Sequence, residues 1–183
     1  IGEAVGRDVT ARISDMNQPL GSAVGNSLEV KEALNTLRNE GPKDFQEHCL
    51  TIAGEMLILG KVADSIEQAE EQALMVLESG KALEKFRELI VAQDGDGRYV
   101  DDPDRFPEAD VIDTLTAWDS GTLARVQADE VGLTVVGLGG GRAEKGESID
   151  HRVGLIMHAR VGDALEKGQP LVTVHASSEE GKE

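Results

Sequence analysis

Residues 14–34 (SDMNQPLGSAVGNSLEVKEAL) have the residue types and spacing best suited to binding chemistry. Pro19, Gly21 and Gly25 interrupt any regular element there, and the resulting loop exposes backbone carbonyls. A carboxylate, Glu32, follows one or two turns into a helical pattern. Carbonyl oxygens and one carboxylate suit a hard monovalent cation such as potassium. Helical periodicity alone favours a second interpretation, in which Glu32 is an ordinary residue of a polar face.

The glycine-rich segment 141–148 (GRAEKGES) has the glycine spacing of a phosphate-binding P-loop but lacks its chemistry. The lysine that should follow the second glycine is replaced by Glu147, which repels phosphate. The overlapping segment 137–142 (GLGGGR) fails as a dinucleotide-binding fingerprint, because Arg142 replaces the third glycine. We therefore predict a structural turn here.

Neither the acidic residues nor the histidines have the spacing of a metal or catalytic site. An EF-hand loop beginning at Asp94 would need an acidic ligand at its twelfth position, where Arg105 stands, so we predict a solvated connector. The histidines form neither an HExxH pair nor a Ser/His/Asp or Cys/His set, and we predict ordinary surface or partly buried residues. The acidic run comprises Asp94, Asp96, Asp101, Asp102 and Asp104, and the histidines are His48, His151, His158 and His175.

Residues 161–176 (VGDALEKGQPLVTVHA) have the order of turns and strands found in biotinyl and lipoyl carrier domains. Those domains present a lysine, in a Met-Lys-Met sequence, on the hairpin after the strand. Ser177, Ser178 and Glu179 occupy that position here. The sequence therefore predicts a carrier-like fold that carries no attached cofactor.

The elements that would position these segments begin with a strand over residues 8–15, followed by four helices. We expect Asn26 to cap the first helix with Glu29 as its capping-box partner, and the third helix to begin at Asp64 with Glu67 in that role. The second helix follows Gly41-Pro42, the third runs to Gly80, and the fourth runs from Lys81 to about Gln93. The apolar stripes predicted to be buried are Val30, Ala33, Leu34 and Leu37, then Phe45, Cys49, Ile52 and Met56, then Ile66, Ala69, Ala73, Val76 and Leu77, and finally Leu83, Phe86 and Ile90.

The pattern becomes mostly β after an acidic, proline-containing connector at 94–110. Strands are predicted over 111–117, 123–128 and 153–160, with a last strand inside 161–176. A turn at residues 119–121 and a long glycine-rich loop at 137–150 separate them. We expect the tail from Ser177 to be frayed.

Composition excludes several classes of function. The chain has 183 residues and a formal net charge of −17, which opposes binding to nucleic acid or to anionic membranes. It has one cysteine, Cys49, and a disulfide framework needs pairs, so a reducing compartment is favoured. No segment approaches the ~20 apolar residues of a membrane helix. The start at Ile1, without a secretory signal, predicts that upstream sequence is missing.

The segment 14–34 closely resembles the corresponding stretch of pyrimidine-nucleoside phosphorylases, a family that includes thymidine phosphorylase. The resemblance continues in the same order through nearly the whole chain. The further segments are GPKDFQEHCLTIAGEML, SGKALEKFRELIVAQDGD, YVDDPDRFP and GLGGGRAEKGESIDHRVGLIMHARVGDALEKGQPLVTVHA.

This resemblance implies an activity and an incomplete metal site. In the family, phosphate attacks C1′ of a pyrimidine nucleoside or deoxynucleoside, and base and sugar 1-phosphate are released in nucleoside salvage. The family's phosphate-binding and base-binding residues lie upstream of the matched part, so no catalytic or substrate-binding residue is assigned to this chain. The positions that match the family's potassium ligands are the carbonyls of Leu20 and Ala23 and the carboxylate of Glu32. The remaining potassium ligands also lie upstream.

The resemblance further implies an architecture and a setting. Residues 1–93 would be the distal, helix-rich part of an α/β catalytic domain, 94–110 a linker, and 111–183 an α+β barrel-sandwich module of hammerhead type. The parent enzyme would be a cytoplasmic homodimer. Two alternatives stay open: a nucleoside-monophosphate phosphorylase of the same superfamily, and a non-enzymatic carrier-like binding module.

We predict that the 183-residue chain alone has no measurable phosphorolysis, because the groups that hold phosphate and base are not among its residues. Incubation of highly purified chain with thymidine or uridine and phosphate, followed by chromatography of the free base, checks this. Release of base that increases in proportion to the amount of chain would contradict it.

Overall fold

The computed structural model describes residues 2–178, which form a mixture of helices and antiparallel sheet. The helices are α1 (Asn26–Leu37), α2 (Lys43–Leu59), α3 (Ile66–Glu78), α4 (Lys81–Ala92), α5 (Arg98–Asp101) and α6 (Ala128–Val135). The strands are β1 (Ala23–Val24), β2 (Val111–Thr116), β3 (Gly121–Thr122), β4 (Gly154–Met157), β5 (Ala164–Leu165) and β6 (Pro170–Ala176). Short helical turns occur at Glu3–Val5, Pro103–Arg105 and Val136–Gly140. The predicted α/β class is confirmed at this level. None of the described helices is long and apolar enough to cross a membrane.

The chain divides by packing into two compact units. One contains the residues up to Asp15 together with Leu34–Gly97, and the other contains Met16–Ala33 together with the chain from Arg98 onward. Residues 16–33 therefore pack with the C-terminal part, although they lie inside the segment 1–93 in sequence. The predicted sequence domains at 1–93, 94–110 and 111–183 stay a prediction.

The first unit is built on the packing of α2 along α3 and of α3 against α4. The α2–α3 crossing is close because Gly54 is buried there: a Cβ atom at this position would lie 3.0 Å from Ile66 Cδ1. Thr51 also donates a hydrogen bond of 3.2 Å from its hydroxyl to the Glu70 carboxylate across the same crossing. The small residue thus permits a contact that a larger side chain would prevent.

Several predictions for the first half of the chain are wrong in detail. Residues 8–15 form no strand, and Ile13 is 97% exposed, because none of the described strands belongs to this unit and the segment has no ladder to join. The cap of α3 is Ser65, whose hydroxyl accepts a hydrogen bond from the Gln68 amide, one residue later than predicted. In the predicted stripes, Met56 is 66% exposed; Val30, Cys49 and Val76 are exposed too.

The second unit contains a four-stranded antiparallel sheet in the order β1-β4-β6-β2. Alternation along β4 and β6 directs Leu155, Val174 and Ala176 to one face, where they form a core with Val135 of α6. A two-stranded sheet of β3 and β5 lies over a smaller cluster of Ala117, Ala159 and Leu165.

The strand predicted at 111–117 is confirmed as β2, one residue shorter, and the last predicted strand is β6. The strand predicted at 153–160 is confirmed only in its first half, as β4. The strand predicted at 123–128 is wrong. The strand in this region, β3, lies earlier, at Gly121–Thr122. Helix α6 begins at Ala128, where acidic side chains in the first turn favour a helix start. The connector also contains a short helix, α5. Its Tyr99 ring packs on the Phe106 ring, and the two ring centroids are 4.9 Å apart. Of the tail, Ser177 and Ser178 are exposed, and residues 179–183 lie outside the described part.

We predict that Gly154→Ala destabilises the second unit by about 1–3 kcal/mol, because the new methyl group overpacks a backbone contact. The Cβ atom would overlap the Val24 carbonyl oxygen and lie 3.0 Å from the Gly25 Cα. Urea unfolding measures the loss. Gly121→Ala is the control, since nothing lies within 4 Å of its Cβ position. Equal stability of the two variants would contradict the prediction.

We also predict that acidification from about pH 7.5 to pH 5.5 weakens the fold through His175. Burial, and to a smaller extent Lys31, lowers the pKa of this histidine, while Glu108 raises it. The unfolded chain therefore binds the proton more readily, so the free energy of unfolding falls as pH drops below the ordinary histidine pKa of about 6.5. Thermal unfolding of the wild type and of His175→Gln across this range measures the effect. An identical pH dependence in both proteins would contradict it.

Candidate cation-binding loop

The C-terminal end of the loop that precedes α1 is paired with the four-stranded sheet. Its last residues enter β1, where Ala23 pairs with Ile156 and Val24 pairs with Leu155 of β4. The Met157 amide donates a 2.7 Å hydrogen bond to the Ser22 carbonyl, which extends this ladder by one residue. The backbone just before α1 is thus fixed to the sheet of the second unit as its edge strand, next to β4.

Helix α1 begins differently from the sequence prediction. Asn26 does not cap it; its side-chain amide donates a 2.7 Å hydrogen bond to the Gly140 carbonyl instead. Glu29 accepts a 2.9 Å hydrogen bond from the Gly25 amide, so it satisfies a donor that precedes the helix, as a capping-box glutamate does. The Ser27 amide donates to the His151 carbonyl at 3.1 Å. These bonds fix the direction in which α1 leaves the loop.

Glu32 lies two turns into α1, and its carboxylate is directed back to the loop. One carboxylate oxygen, Oε1, accepts hydrogen bonds from the amides of Ser22 at 2.8 Å and Ala23 at 3.0 Å. The other oxygen, Oε2, lies so close to Gly21 that a Cβ atom on that residue would overlap it. Gly21 also has φ near +71°, which disfavours any other residue. Glu32 is therefore part of the loop structure and not a solvated residue of a polar helix face.

The structure brings Ala23 and Glu32 together through the hydrogen bond from the Ala23 amide to the Glu32 carboxylate, and Leu20 lies three residues before Ala23 in the same loop. Ala23 is 5% exposed in β1, whereas Leu20 is 45% exposed as a residue. Among residues 2–178 no group of three or more His, Cys, Asp or Glu side chains could hold a metal ion. A cation at this loop would therefore depend on carbonyl oxygens besides Glu32. Carbonyl and carboxylate oxygens are ligands that potassium accepts, and the space kept at Gly21 leaves the carboxylate next to the loop backbone.

Two residues that the sequence patterns did not indicate hold the other side of this loop. The Arg160 guanidinium donates from Nη1 to the Pro19 carbonyl at 2.7 Å and from Nη2 to the Gly21 carbonyl. The Val161 amide donates to the Gln18 side chain at 2.9 Å. Arg160 and the loop are separated by about 140 residues in the chain, so no local pattern could have predicted the pairing.

The glycine-rich segment is confirmed as a structural turn. Its Glu147 carboxylate accepts hydrogen bonds from the amides of Ala143 at 2.8 Å and Glu144 at 3.0 Å. Arg142 donates from its Nε to the Glu147 carbonyl at 2.9 Å. The amides that a P-loop would offer to phosphate thus bind a carboxylate of the same segment.

A charged group fixes the chain between this turn and β4. Arg152 makes a two-pronged contact with Asp150, at 2.8 Å for its closest pair of atoms, and also contacts Asp110 at 2.9 Å. The hydrogen bond from Arg152 lowers the pKa of Asp150, and the two carboxylates raise the pKa of Arg152. The group is structural, because its members satisfy each other and leave no group poised for proton transfer.

The remaining candidates show no catalytic arrangement in the described part of the chain. His158 shares a 2.7 Å hydrogen bond with Thr173, which in turn bonds to Thr114 at 2.8 Å. Cys49 is exposed as a residue, yet partial desolvation of its sulfur raises the pKa of the thiol, the opposite of what a nucleophilic cysteine needs. In the acidic run, Asp102 pairs with Arg105 at 3.2 Å.

Known families match the chain in two collinear blocks. Residues 2–83 match the model of the Glycosyl transferase family, a/b domain, and residues 122–183 match that of the Pyrimidine nucleoside phosphorylase C-terminal domain.

Individual relatives span both blocks. The chain is 46% identical over 179 residues to the pyrimidine-nucleoside phosphorylase of Bacillus subtilis, an alignment that covers 98% of the chain and 41% of that protein. It is 46% identical over 180 residues to the enzyme of the same name from Geobacillus stearothermophilus, with 98% and 42% covered. The corresponding Staphylococcus aureus protein is 40% identical over 180 residues, again with 98% and 42% covered. The chain spans about two-fifths of the length of these relatives. With both domain types in order and this identity across almost every residue, the chain belongs to the pyrimidine-nucleoside phosphorylase family.

Proposed function

We propose that this chain is part of a glycosyltransferase that phosphorolyses pyrimidine nucleosides or deoxynucleosides in nucleoside salvage. The observation that carries this proposal is 46% identity, over 98% of the chain, to a protein named pyrimidine-nucleoside phosphorylase. In the reaction a phosphate oxygen forms a bond to C1′ of the sugar and the C1′–N bond to the base breaks. The electron pair leaves with the base, and the second product is the sugar 1-phosphate.

The residues that perform this chemistry would lie on polypeptide upstream of Ile1. Phosphorolysis needs cationic or hydrogen-bonding groups for phosphate and donors for the departing base, where charge accumulates in the transition state. The described glycine-rich turn does not supply the phosphate site, since Glu147 occupies its amides. We accordingly propose that the chain alone is inactive.

We propose that the chain contributes half of a potassium site through the Leu20 and Ala23 carbonyls and the Glu32 carboxylate. The donor chemistry supports this, as does the position of Glu32, which the Ser22 and Ala23 amides hold against the loop. A bound potassium ion would supply a fixed positive charge that organises the loop. The residues of this chain would set the loop's path and keep a carboxylate beside it.

The wider assignment covers fold, location and assembly. We propose a barrel-sandwich of hammerhead type for the C-terminal module, supported by the match of residues 122–183 and by the antiparallel sheets there. A cytoplasmic location is supported by the single cysteine, Cys49. We infer a homodimer for the parent enzyme by analogy with the family. Of the two enzyme alternatives, the names of the relatives favour a nucleoside over a nucleoside-monophosphate substrate.

A longer protein that contains this segment tests both parts of the proposal. We expect it to release thymine from thymidine or uracil from uridine only when phosphate is present, and to be activated by potassium chloride relative to choline chloride. Glu32→Ala should raise the potassium concentration for half-maximal activation about tenfold, or about 1.4 kcal/mol, because the anionic ligand is lost. Initial rates across a potassium titration measure this.

The control is Glu144→Ala, which removes an exposed carboxylate of the glycine-rich turn. It should leave the potassium titration unchanged. Unaltered potassium dependence in Glu32→Ala would exclude the metal role, and hydrolysis without phosphate, or no reaction with either nucleoside, would exclude the activity.

A further inference from the structure

The loop before α1 is held from two sides by groups of opposite charge. Glu32 accepts hydrogen bonds from the amides of Ser22 and Ala23, as described above. Arg160 donates to the carbonyls of Pro19 and Gly21. An acidic group thus binds the donors of this short segment, and a basic group binds its acceptors.

Arginine is suited to this contact in a way that lysine is not. Its planar guanidinium presents several N–H donors in a fixed fork, so one side chain can bind two carbonyls at a defined separation. Charge-assisted bonds of this kind are about twice as strong as neutral ones. The carbonyls of Pro19 and Gly21 flank that of Leu20, so the fork fixes the backbone on both sides of a proposed potassium ligand.

The position of Arg160 is itself fixed. Its backbone amide donates to the Asp163 carboxylate at 2.7 Å, within the turn that leads to β5. The next residue, Val161, donates from its amide to the Gln18 side chain. Two consecutive residues of the C-terminal module therefore hold the loop from Gln18 to Gly21.

We propose that Arg160 is a positioning residue for the loop Pro19–Ala23, and that it sets the geometry of the cation ligands without binding the cation itself. The part that concerns potassium rests on the proposed function. The part that concerns the loop rests on the two guanidinium contacts alone.

Backbone amide hydrogen exchange in the 183-residue chain tests the loop. Arg160→Gln should speed exchange at the Ser22 and Ala23 amides by about tenfold or more, because the loop opens locally, while the amides of β6 keep their protection. Arg160→Lys retains the charge but not the fork and should show a smaller increase. Arg105→Lys makes the same substitution at the exposed ion pair with Asp102. This control should change the exchange rates neither at Ser22 and Ala23 nor in β6.

Potassium-dependent stabilisation supplies a readout that a merely structural role would not move. Thermal unfolding of a longer protein that contains this segment is followed at constant ionic strength as potassium chloride replaces choline chloride, because the remaining proposed ligands lie outside the 183 residues. Arg160→Gln should raise the potassium concentration for half-maximal stabilisation about tenfold, beyond any general decrease in the unfolding temperature.

Each outcome decides the proposal. Unchanged exchange at Ser22 and Ala23 in Arg160→Gln would overturn it, and so would equal acceleration at β6, which would indicate global destabilisation. If the wild type shows no potassium-specific stabilisation, the proposed cation site of this chain fails, and the exchange data alone decide the role of Arg160. A lower unfolding temperature with an unaltered potassium midpoint would overturn the link between Arg160 and the cation ligands.

Discussion

The hydrogen bonds from the Ser22 and Ala23 amides to Glu32 are the constraint on which the rest of the candidate site depends. They join three successive elements, the loop, β1 and α1, through one partly buried carboxylate. The carboxylate can approach the backbone so closely only because Gly21 has no side chain and adopts a positive φ. A short stretch of chain thereby combines a sharp bend with an anionic group held against its backbone.

The same loop depends on residues far along the chain. Arg160 and Val161 hold its carbonyl and side-chain acceptors, and Asn26 binds the backbone of the glycine-rich turn. These contacts explain why residues 16–33 pack with the C-terminal module although they precede three helices of the other unit. The glycine-rich turn has a related structure, in which Glu147 satisfies the amides of its own segment. In both places a carboxylate completes a backbone that would otherwise present unpaired donors.

Local patterns predicted an element well where it depends on its own residues. The fourth helix, expected from Lys81 to about Gln93, is α4 at Lys81–Ala92, and the strand expected at 111–117 is β2. The alternation at 8–15 and 123–128 was misleading, because a strand exists only when a neighbour offers a ladder. For α6 a usable signal was present: Asp129 and Glu130 in the first turn, followed by Val131 and Val135 four residues apart.

By itself the sequence determined the α/β class, the family and the one segment with suitable ligands, because composition, periodicity and loop chemistry are properties of neighbouring residues. It also predicted that the P-loop-like segment is a structural turn, since the charge of Glu147 at the position of the P-loop lysine is evident without coordinates. Only the tertiary structure decided that Glu32 faces the loop instead of solvent, and that Arg160 holds the same loop. Those choices depend on the direction of α1 and on a pairing across about 140 residues, and neither is encoded in any local spacing.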